Sequence, residues 1–257
     1  GQMRIFIQLW LAILLLLPAS AAQAESITDL RARVENVTAN VTQLYCSVFY
    51  PQQGYAAAAV GFRYGNPNSS STSGCGAPTA RSGVQITPAQ PGAFTAGQYI
   101  PIATITDFNN PVYVGAGGPT TGPTISANVL FSIMGGPALP YTISKHDTPN
   151  TGNCAYGPQI TDCYDRITLT PQNANETAAF IASDGNAYTL NVGGVAPLTG
   201  STCPAEPTRQ GAIYYDVPER ATTRFCVYGR VSPVNAIRIV KSANPTAADT
   251  NFGFTST

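Results

Sequence analysis

The side chains that could perform acid–base chemistry are few and are scattered along the sequence. Glycoside hydrolysis needs two carboxylates placed on either side of one bond, and no spacing among the acidic residues marks such a pair. Several of them occupy turn contexts, where Asp hydrogen-bonds the nearby backbone. The spacing favours structural roles for these acids: Asp107, Asp147, Asp162, Asp165, Asp184, Asp216 and Glu219.

His146, the one histidine, stands directly before Asp147. A carboxylate can orient an imidazole for general-base work. Adjacent residues on an extended strand point to opposite faces, so we expect no contact between these two. The chain also lacks a G-x-S-x-G nucleophile motif. We expect no enzymatic activity and no cofactor.

Metal-binding patterns are weak. The best local oxygen cluster for calcium is Asp107, Asn109 and Asn110, but it lacks the D-x-D-x-D spacing of a calcium loop. Zinc is disfavoured because no C-x-x-C occurs and His146 has no second histidine. We predict no metal site, with these three residues as the only candidates.

Tyrosine is the main aromatic residue, with 13 in the chain against one tryptophan. Tyrosines on an exposed sheet face could form a flat binding surface for a sugar or a protein. Most aromatic residues of a sandwich instead fill its core. The candidates for an exposed ligand-binding surface are Tyr214, Tyr215 and Tyr228.

The six cysteines predict disulfides. An even count in an exported chain suggests three bridges, and six cysteines allow 15 pairings. Sequential pairing is favoured because each pair then encloses one loop-rich segment, and each bridge would contribute about 3 kcal/mol. The expected pairs are Cys46 with Cys75, Cys154 with Cys163, and Cys203 with Cys226.

Charge excludes some classes of partner. Charged residues make up only 10% of the chain, and 13 basic residues balance 13 acidic ones. Without a net field, neither nucleic acid nor an anionic membrane is favoured. The remaining partners are an extracellular polymer, a cell-surface protein or copies of the same chain.

Residues 1–24 are typical of a signal peptide. An apolar run from Ile5 to Leu17 is followed by small residues that end in Ala22-Gln23-Ala24, a signal-peptidase pattern. We therefore expect a secreted or cell-surface protein. The uncharged stretch is about 20 residues, close to the length of a membrane span, so an uncleaved anchor is the alternative and the one expected route to a membrane.

Residues 25–45 are predicted to form an amphipathic helix. Apolar residues step by three and four, as on one face of a helix; they are Ile27, Leu30, Val34, Val37, Val41 and Leu44. This helix could pack on its own domain or form an oligomerising stalk. It could also continue the hydrophobic run as one long helix, as in pilin-like filament subunits, although Arg4 and the missing pilin glutamate (the position holds Ile5) argue against that.

Residues 46–233 read as an all-β domain. Residues 62–97 are turn-rich and are expected to form a surface loop. Alternation of apolar and polar residues then predicts antiparallel strands, near residues 99–105, 128–133, 166–170, 187–192, 212–217, 224–231 and 236–240. Short strands without intervening helices predict a two-sheet β-sandwich, jelly-roll-like in form.

An ordered set of motifs runs through the second half of this domain. It comprises Ile100–Val112, Asp147–Asn150, Cys154 and Cys163 before Asp165–Ile167, Asp184–Leu190, and Glu219 before Phe225–Tyr228. In this order the segment from Gly97 to Val231 resembles the secreted bacterial domain called choice-of-anchor K, known for a T-H-x-N motif. Two positions depart from the family pattern: Asp107 replaces the motif histidine, and Asp147 replaces a glutamate.

Residues 234–257 are expected to begin a second, truncated β module. The segments Ile237–Pro245 and Asn251–Thr255 resemble the first strands of a prealbumin-like or collagen-adhesin B-type stalk module. The two resemblances imply a surface protein of a bacterium. The sequence thus predicts a structural or adhesive module without catalytic activity, with a filament subunit or a carbohydrate-binding domain as alternatives.

Overall fold

The protein is described by a computed structural model over residues 25–41, 44–46, 54–68, 71, 73–113, 120–150, 153–159, 161–173 and 177–234. These residues form strands and one short 3-10 helix, Pro78–Ala80. The strands are β1 (Ser26–Ile27), β2 (Leu30–Ala39), β3 (Val60–Tyr64), β4 (Ser82–Pro88), β5 (Gly92–Ala93), β6 (Tyr99–Phe108), β7 (Thr124–Ile133), β8 (Leu139–His146), β9 (Asp165–Pro171), β10 (Ala178–Ile181), β11 (Ala187–Pro197), β12 (Arg209–Gln210), β13 (Ile213–Val217) and β14 (Thr222–Pro233).

Two antiparallel sheets make up the fold, which is that of a β-sandwich. A seven-stranded sheet has the order β10-β11-β14-β6-β4-β3, with β12 beside β11. A five-stranded sheet has the order β13-β9-β8-β7-β2. A further two-stranded sheet pairs β1 with β5. The all-β prediction is therefore confirmed for the described residues.

Alternation of side chains builds the core between the two sheets. On β7 every second residue from Ile125 to Ile133 is buried, and the residues between them face outward. β6 and β14 contribute residues such as Ile105 and Phe225 from the other sheet, and all of these belong to one hydrophobic cluster. A two-residue period in the sequence thus gives one buried face per sheet.

The predicted helix over residues 25–45 is wrong where the structure describes it, because β1 and β2 occupy this segment. Leu30 and Val34 are four residues apart, which fits one face of a helix and equally fits one face of a strand. Ala32 between them is buried as well, as only a strand allows. A long helix continuing through this segment, as a pilin-like layout requires, is therefore not formed.

An irregularity in β2 explains why the apolar spacing looked helical. The pairing of β2 with β7 shifts register between Glu35 and Thr38, and Asn36 between them has φ 52°. Such a bulge adds one residue to the strand. Before the bulge, side chains at even positions point into the core. After it, the side chain of Val37, at an odd position, packs against the core.

The expected surface loop over residues 62–97 is also wrong in part. This segment contains the end of β3 and all of β4, and Phe62, Val84 and Ile86 are buried in the core. The strand predictions from residue 99 to 231 hold, and a turn at Asp184-Gly185 joins β10 to β11. The signal segment, residues 1–24, and the predicted module from residue 235 onward lie outside the described residues.

Candidate functional site

A fully buried lysine is the centre of the most unusual polar cluster. Lys145 lies near the end of β8, and its side chain is 0% exposed. Every second residue before it on the strand, Leu139, Tyr141 and Ile143, is also buried. From the five-stranded sheet it reaches groups on the seven-stranded sheet. Burial of an unpaired ammonium is very costly, so its partners determine whether this arrangement is stable.

Four oxygen atoms surround the ammonium of Lys145. Nζ is 2.9 Å from Oδ1 of Asp107 and 3.5 Å from Oδ2 of Asp165. It also donates hydrogen bonds to Oδ1 of Asn109 at 3.2 Å and to Oγ of Ser82 at 3.1 Å. The lysine therefore connects β6 and the residue after it with the first residue of β9.

The groups in this cluster shift one another's pKa values. Burial raises the pKa of Asp107 to about 6, although the Lys145 ammonium opposes this rise. Burial also raises the pKa of Asp165. For Lys145 burial alone would lower the pKa, but the neighbouring carboxylates outweigh it and raise the pKa. The carboxyl groups therefore take up a proton more readily than exposed ones do, while the amine holds its own proton.

A cleft of about 350 Å³ opens beside this cluster, lined in part by Asp147, Asn150 and Glu219. Oδ2 of Asp147 accepts a hydrogen bond from the buried hydroxyl of Tyr64 at 3.4 Å. Burial, followed by repulsion from Asp165, raises the pKa of Asp147 well above its usual range. The same two causes raise the pKa of Glu219 to about 7.

Four carboxylic acids that are scattered in the sequence are thus brought together around one lysine. Asp107, Asp147, Asp165 and Glu219 influence one another electrostatically, which the expectation of isolated acids missed. The missed residue is Lys145, and a signal for it existed. The alternation Leu139, Tyr141, Ile143 predicts an inward side chain at position 145.

The three candidate metal ligands separate in the structure. Asp107 and Asn109 both contact Lys145, whereas Nδ2 of Asn110 donates to the backbone oxygen of Arg81 at 3.0 Å. The lysine ammonium supplies the positive charge that these oxygen atoms face. Among the described residues, no three His, Cys, Asp or Glu side chains are arranged to hold a metal ion.

His146 faces away from the acids. One ring nitrogen, Nε2, is 2.8 Å from the backbone oxygen of Thr121, and the other, Nδ1, is 2.7 Å from the hydroxyl of Tyr156. Because a carbonyl only accepts, Nε2 carries the proton and Nδ1 accepts from Tyr156. Asp147 contacts Tyr64 instead, as expected for adjacent residues that point to opposite faces.

The candidate tyrosines differ in their surroundings. Tyr228 is fully buried, with its hydroxyl donating to the backbone oxygen of Pro204 at 2.6 Å, so it cannot form an exposed binding surface. Tyr215 stacks on Phe225 with the ring centroids 4.6 Å apart. Tyr214 is partly exposed and lies between two guanidinium groups, those of Arg166 and Arg209, 4.0 Å and 3.9 Å from its ring centre.

Tyr214 borders a polar surface on the outer side of the five-stranded sheet. Cross-strand pairing places Tyr214 beside Thr168, then Ser144, then Ser126. A second row runs through Thr170, Thr142 and Asn128. We call these six uncharged side chains the hydroxyl face: Ser126, Asn128, Thr142, Ser144, Thr168 and Thr170.

All six cysteines form disulfides in the expected sequential pairs. The bridge from Cys203 to Cys226 ties the loop before β12 to the central strand β14. The bridge from Cys154 to Cys163 closes a short loop before β9. Three disulfides indicate that the chain folds in an oxidising environment.

Two comparisons with known proteins found no match. No protein-family profile matches the chain, and no curated protein matches it. Its resemblance to choice-of-anchor K therefore stays a prediction. In the part of the chain that the structure describes, no helix has the length and apolar character needed to cross a membrane.

Proposed function

We propose that this chain is an extracellular structural and adhesive module, without catalytic turnover, that binds an uncharged surface polymer through its hydroxyl face. The main support is the chemistry of that face, where six hydroxyl and amide side chains lie on three neighbouring strands without a charged group among them. Such a surface matches the hydroxyl groups of a polysaccharide better than it matches a polyanion. Export to the cell surface and a jelly-roll-like sandwich are part of the same proposal.

Tyr214 gives the proposed surface an aromatic border. Its ring is held between Arg166 and Arg209, and Arg166 is itself fixed by two hydrogen bonds to Asp216 at 2.6 Å and 2.9 Å. A ring that is already ordered loses little entropy on binding. Because the two guanidinium groups cover the ring, we expect a sugar to contact the part of the Tyr214 side chain that stays exposed, and we expect this residue to contribute most to affinity.

Other side chains support a role that does not involve catalysis. His146 is held by Tyr156 and Thr121, while the buried acids are paired with Lys145 inside the domain. A general base needs access to its substrate. Of the acids clustered around Lys145, Asp147 and Glu219 line an open cleft, which is separate from the hydroxyl face.

The proposal is tested by binding of the purified, disulfide-bonded protein to an array of neutral and acidic polysaccharides. We expect saturable binding to a neutral polymer, and about tenfold weaker binding for Tyr214→Ala, as loss of about 1.4 kcal/mol of aromatic contact implies. Ile181→Ser is the matched control, because Ile181 is 56% exposed on the other sheet. Its binding should be unchanged.

Three results would count against the proposal. Absence of saturable binding to every polymer and to intact cells would remove the adhesive role and leave a scaffold. Equal loss of affinity in Tyr214→Ala and Ile181→Ser would place the binding surface elsewhere. Turnover of any substrate in a panel of glycoside and ester hydrolysis assays would refute the absence of catalysis.

A further inference from the structure

An amine and a carboxamide meet in the buried interior between the two sheets. Nζ of Lys145 is 3.2 Å from Oδ1 of Asn109, and these side chains belong to residues that are 0% and 1% exposed. Lys145 lies on the five-stranded sheet, while Asn109 directly follows β6 of the seven-stranded sheet. A bond between them would therefore join the two layers of the sandwich.

Two carboxyl groups flank this pair. Asp107 contacts the amine at 2.9 Å, and Asp165 contacts it at 3.5 Å. Asp165 also shares a hydrogen bond with the side chain of Asn109. Oδ2 of Asp107 has no hydrogen-bond partner although it is buried, and Oδ2 of Asp165 faces the amine of Lys145 at 3.5 Å. These acids are thus placed to accept a proton from the amine and to return one to the amide nitrogen.

We propose that Lys145 and Asn109 react with each other to form an intramolecular amide that cross-links the two sheets. The lysine ammonium first transfers a proton to a flanking carboxylate, which leaves a neutral amine able to act as a nucleophile. Nζ then attacks Cγ of Asn109, and the bond from Cγ to Nδ2 breaks. Asp165 takes a second proton from Nζ and passes it to the departing nitrogen, which leaves as ammonia, while the first proton stays on Asp107.

The balance of this step needs no further reactant. One N–H bond of the amine and the Cγ–Nδ2 bond are broken, while an amide bond and an N–H bond of ammonia are formed. Burial favours the reaction in two ways. It makes the neutral form of aspartic acid accessible, since burial raises the pKa of Asp107 to about 6, and it holds the two groups in contact, which replaces a collision between separate molecules.

Asn109 is a better acceptor than Asp107, although Asp107 is closer to the amine. In the ion pair Asp107 is a carboxylate, whose negative charge repels a nucleophile, whereas the carboxamide of Asn109 is neutral. Nδ2 of Asn109 already donates to the backbone oxygen of Pro218 at 3.1 Å, which fixes the side chain. The cross-link does not depend on the adhesive role, so the two proposals can fail separately.

The test is mass spectrometry of the whole protein after reduction, alkylation and digestion with trypsin. Between Arg81 and Lys145 the sequence has no Lys or Arg, and the next site is Arg166. Trypsin does not cleave after an acylated lysine. We expect a single peptide from Ser82 to Arg166 with a mass about 17 Da below its sequence mass, the mass of one ammonia.

Two outcomes of this measurement would overturn the proposal. Cleavage after Lys145, with both peptides at their sequence mass, means that no bond forms. A loss of about 18 Da, the mass of water, means that the acceptor is one of the two aspartates, Asp107 or Asp165, and not Asn109. Because both readings come from the unchanged protein, they do not depend on whether any variant folds.

Variants then assign the roles. Asn109→Ala should restore cleavage and sequence mass, and Asp165→Asn should lower the cross-linked fraction at least tenfold in protein with native circular dichroism. Asn110→Ala is the matched control, because its side chain contacts Arg81 and not Lys145, so it should remain fully cross-linked. Full cross-linking in Asn109→Ala, or an unchanged fraction in folded Asp165→Asn, would contradict the mechanism.

Discussion

Glu219 makes the stability of the domain depend on pH. In the folded protein burial raises its pKa from 4.5 to about 7. The folded state therefore binds more protons than the unfolded chain between these values. Stability follows the difference in bound protons, so the free energy of unfolding falls as pH rises through this window.

The size of this effect follows from the shift. At about 1.4 kcal/mol per pKa unit the change corresponds to about 3 kcal/mol, which solvent screening at this partly exposed side chain reduces to about 1–2 kcal/mol. A glutamine side chain at this position cannot ionise. Relative to the unchanged protein, Glu219→Gln should therefore gain about 1–2 kcal/mol of stability between pH 4 and pH 8.

The measurement is urea denaturation at several pH values, with the difference between variant and unchanged protein taken at each. Glu206→Gln serves as the control, because Glu206 is exposed and its charge stays solvated in both states. A difference for Glu219→Gln that does not change with pH would refute the argument. A difference that falls with pH would reverse its sign and show that the carboxylate is stabilised in the fold.

Three further changes test the packing. Replacing Cys203 and Cys226 by Ser removes a bridge that spans 23 residues and should cost about 3 kcal/mol in urea denaturation; an unchanged midpoint would contradict this. Gly122→Ala and Gly185→Ala both place a side chain at positive φ, and both variants should lose some stability from this backbone strain. Only at Gly122 does the new Cβ also overlap a backbone carbonyl. The melting temperature of Gly122→Ala should therefore be several degrees below that of Gly185→Ala. Phe131→Ala should cost about 3–5 kcal/mol in the same denaturation assay, and a cost below about 1 kcal/mol would mean that the core refills the cavity.

Regular strands were predictable because their alternation is uninterrupted. β7 alternates buried and outward residues along its whole length, and the sequence alone predicts a strand over its second half. β2 was not predictable in this way, since a bulge at Asn36 changes the phase in the middle of the strand. β4 was obscured by Ser82-Gly83 and Pro88, residue types that are common in turns.

The buried cluster was only partly predictable. An inward lysine at position 145 follows from the phase of β8, but its partners do not. Asp107 and Asp165 lie on strands of different sheets, and only the packing of one sheet on the other brings them to the same amine. Sequence spacing carries no information about such a contact, because it depends on the pairing order of every strand in between.

Strand β2 also affects how copies of the protein can meet. It is the outer strand of the five-stranded sheet, yet the backbone groups of Ala32 are already bonded to Ala56, and Arg31, Arg33 and Glu35 place charges along the same strand. A flat edge strand with unpaired backbone groups can pair with a strand of another molecule, and repeated pairing of this kind produces fibrous aggregates. Here the twist introduced at Asn36, the capped backbone and the charges act together against such growth, which favours a domain that stays dispersed at high concentration.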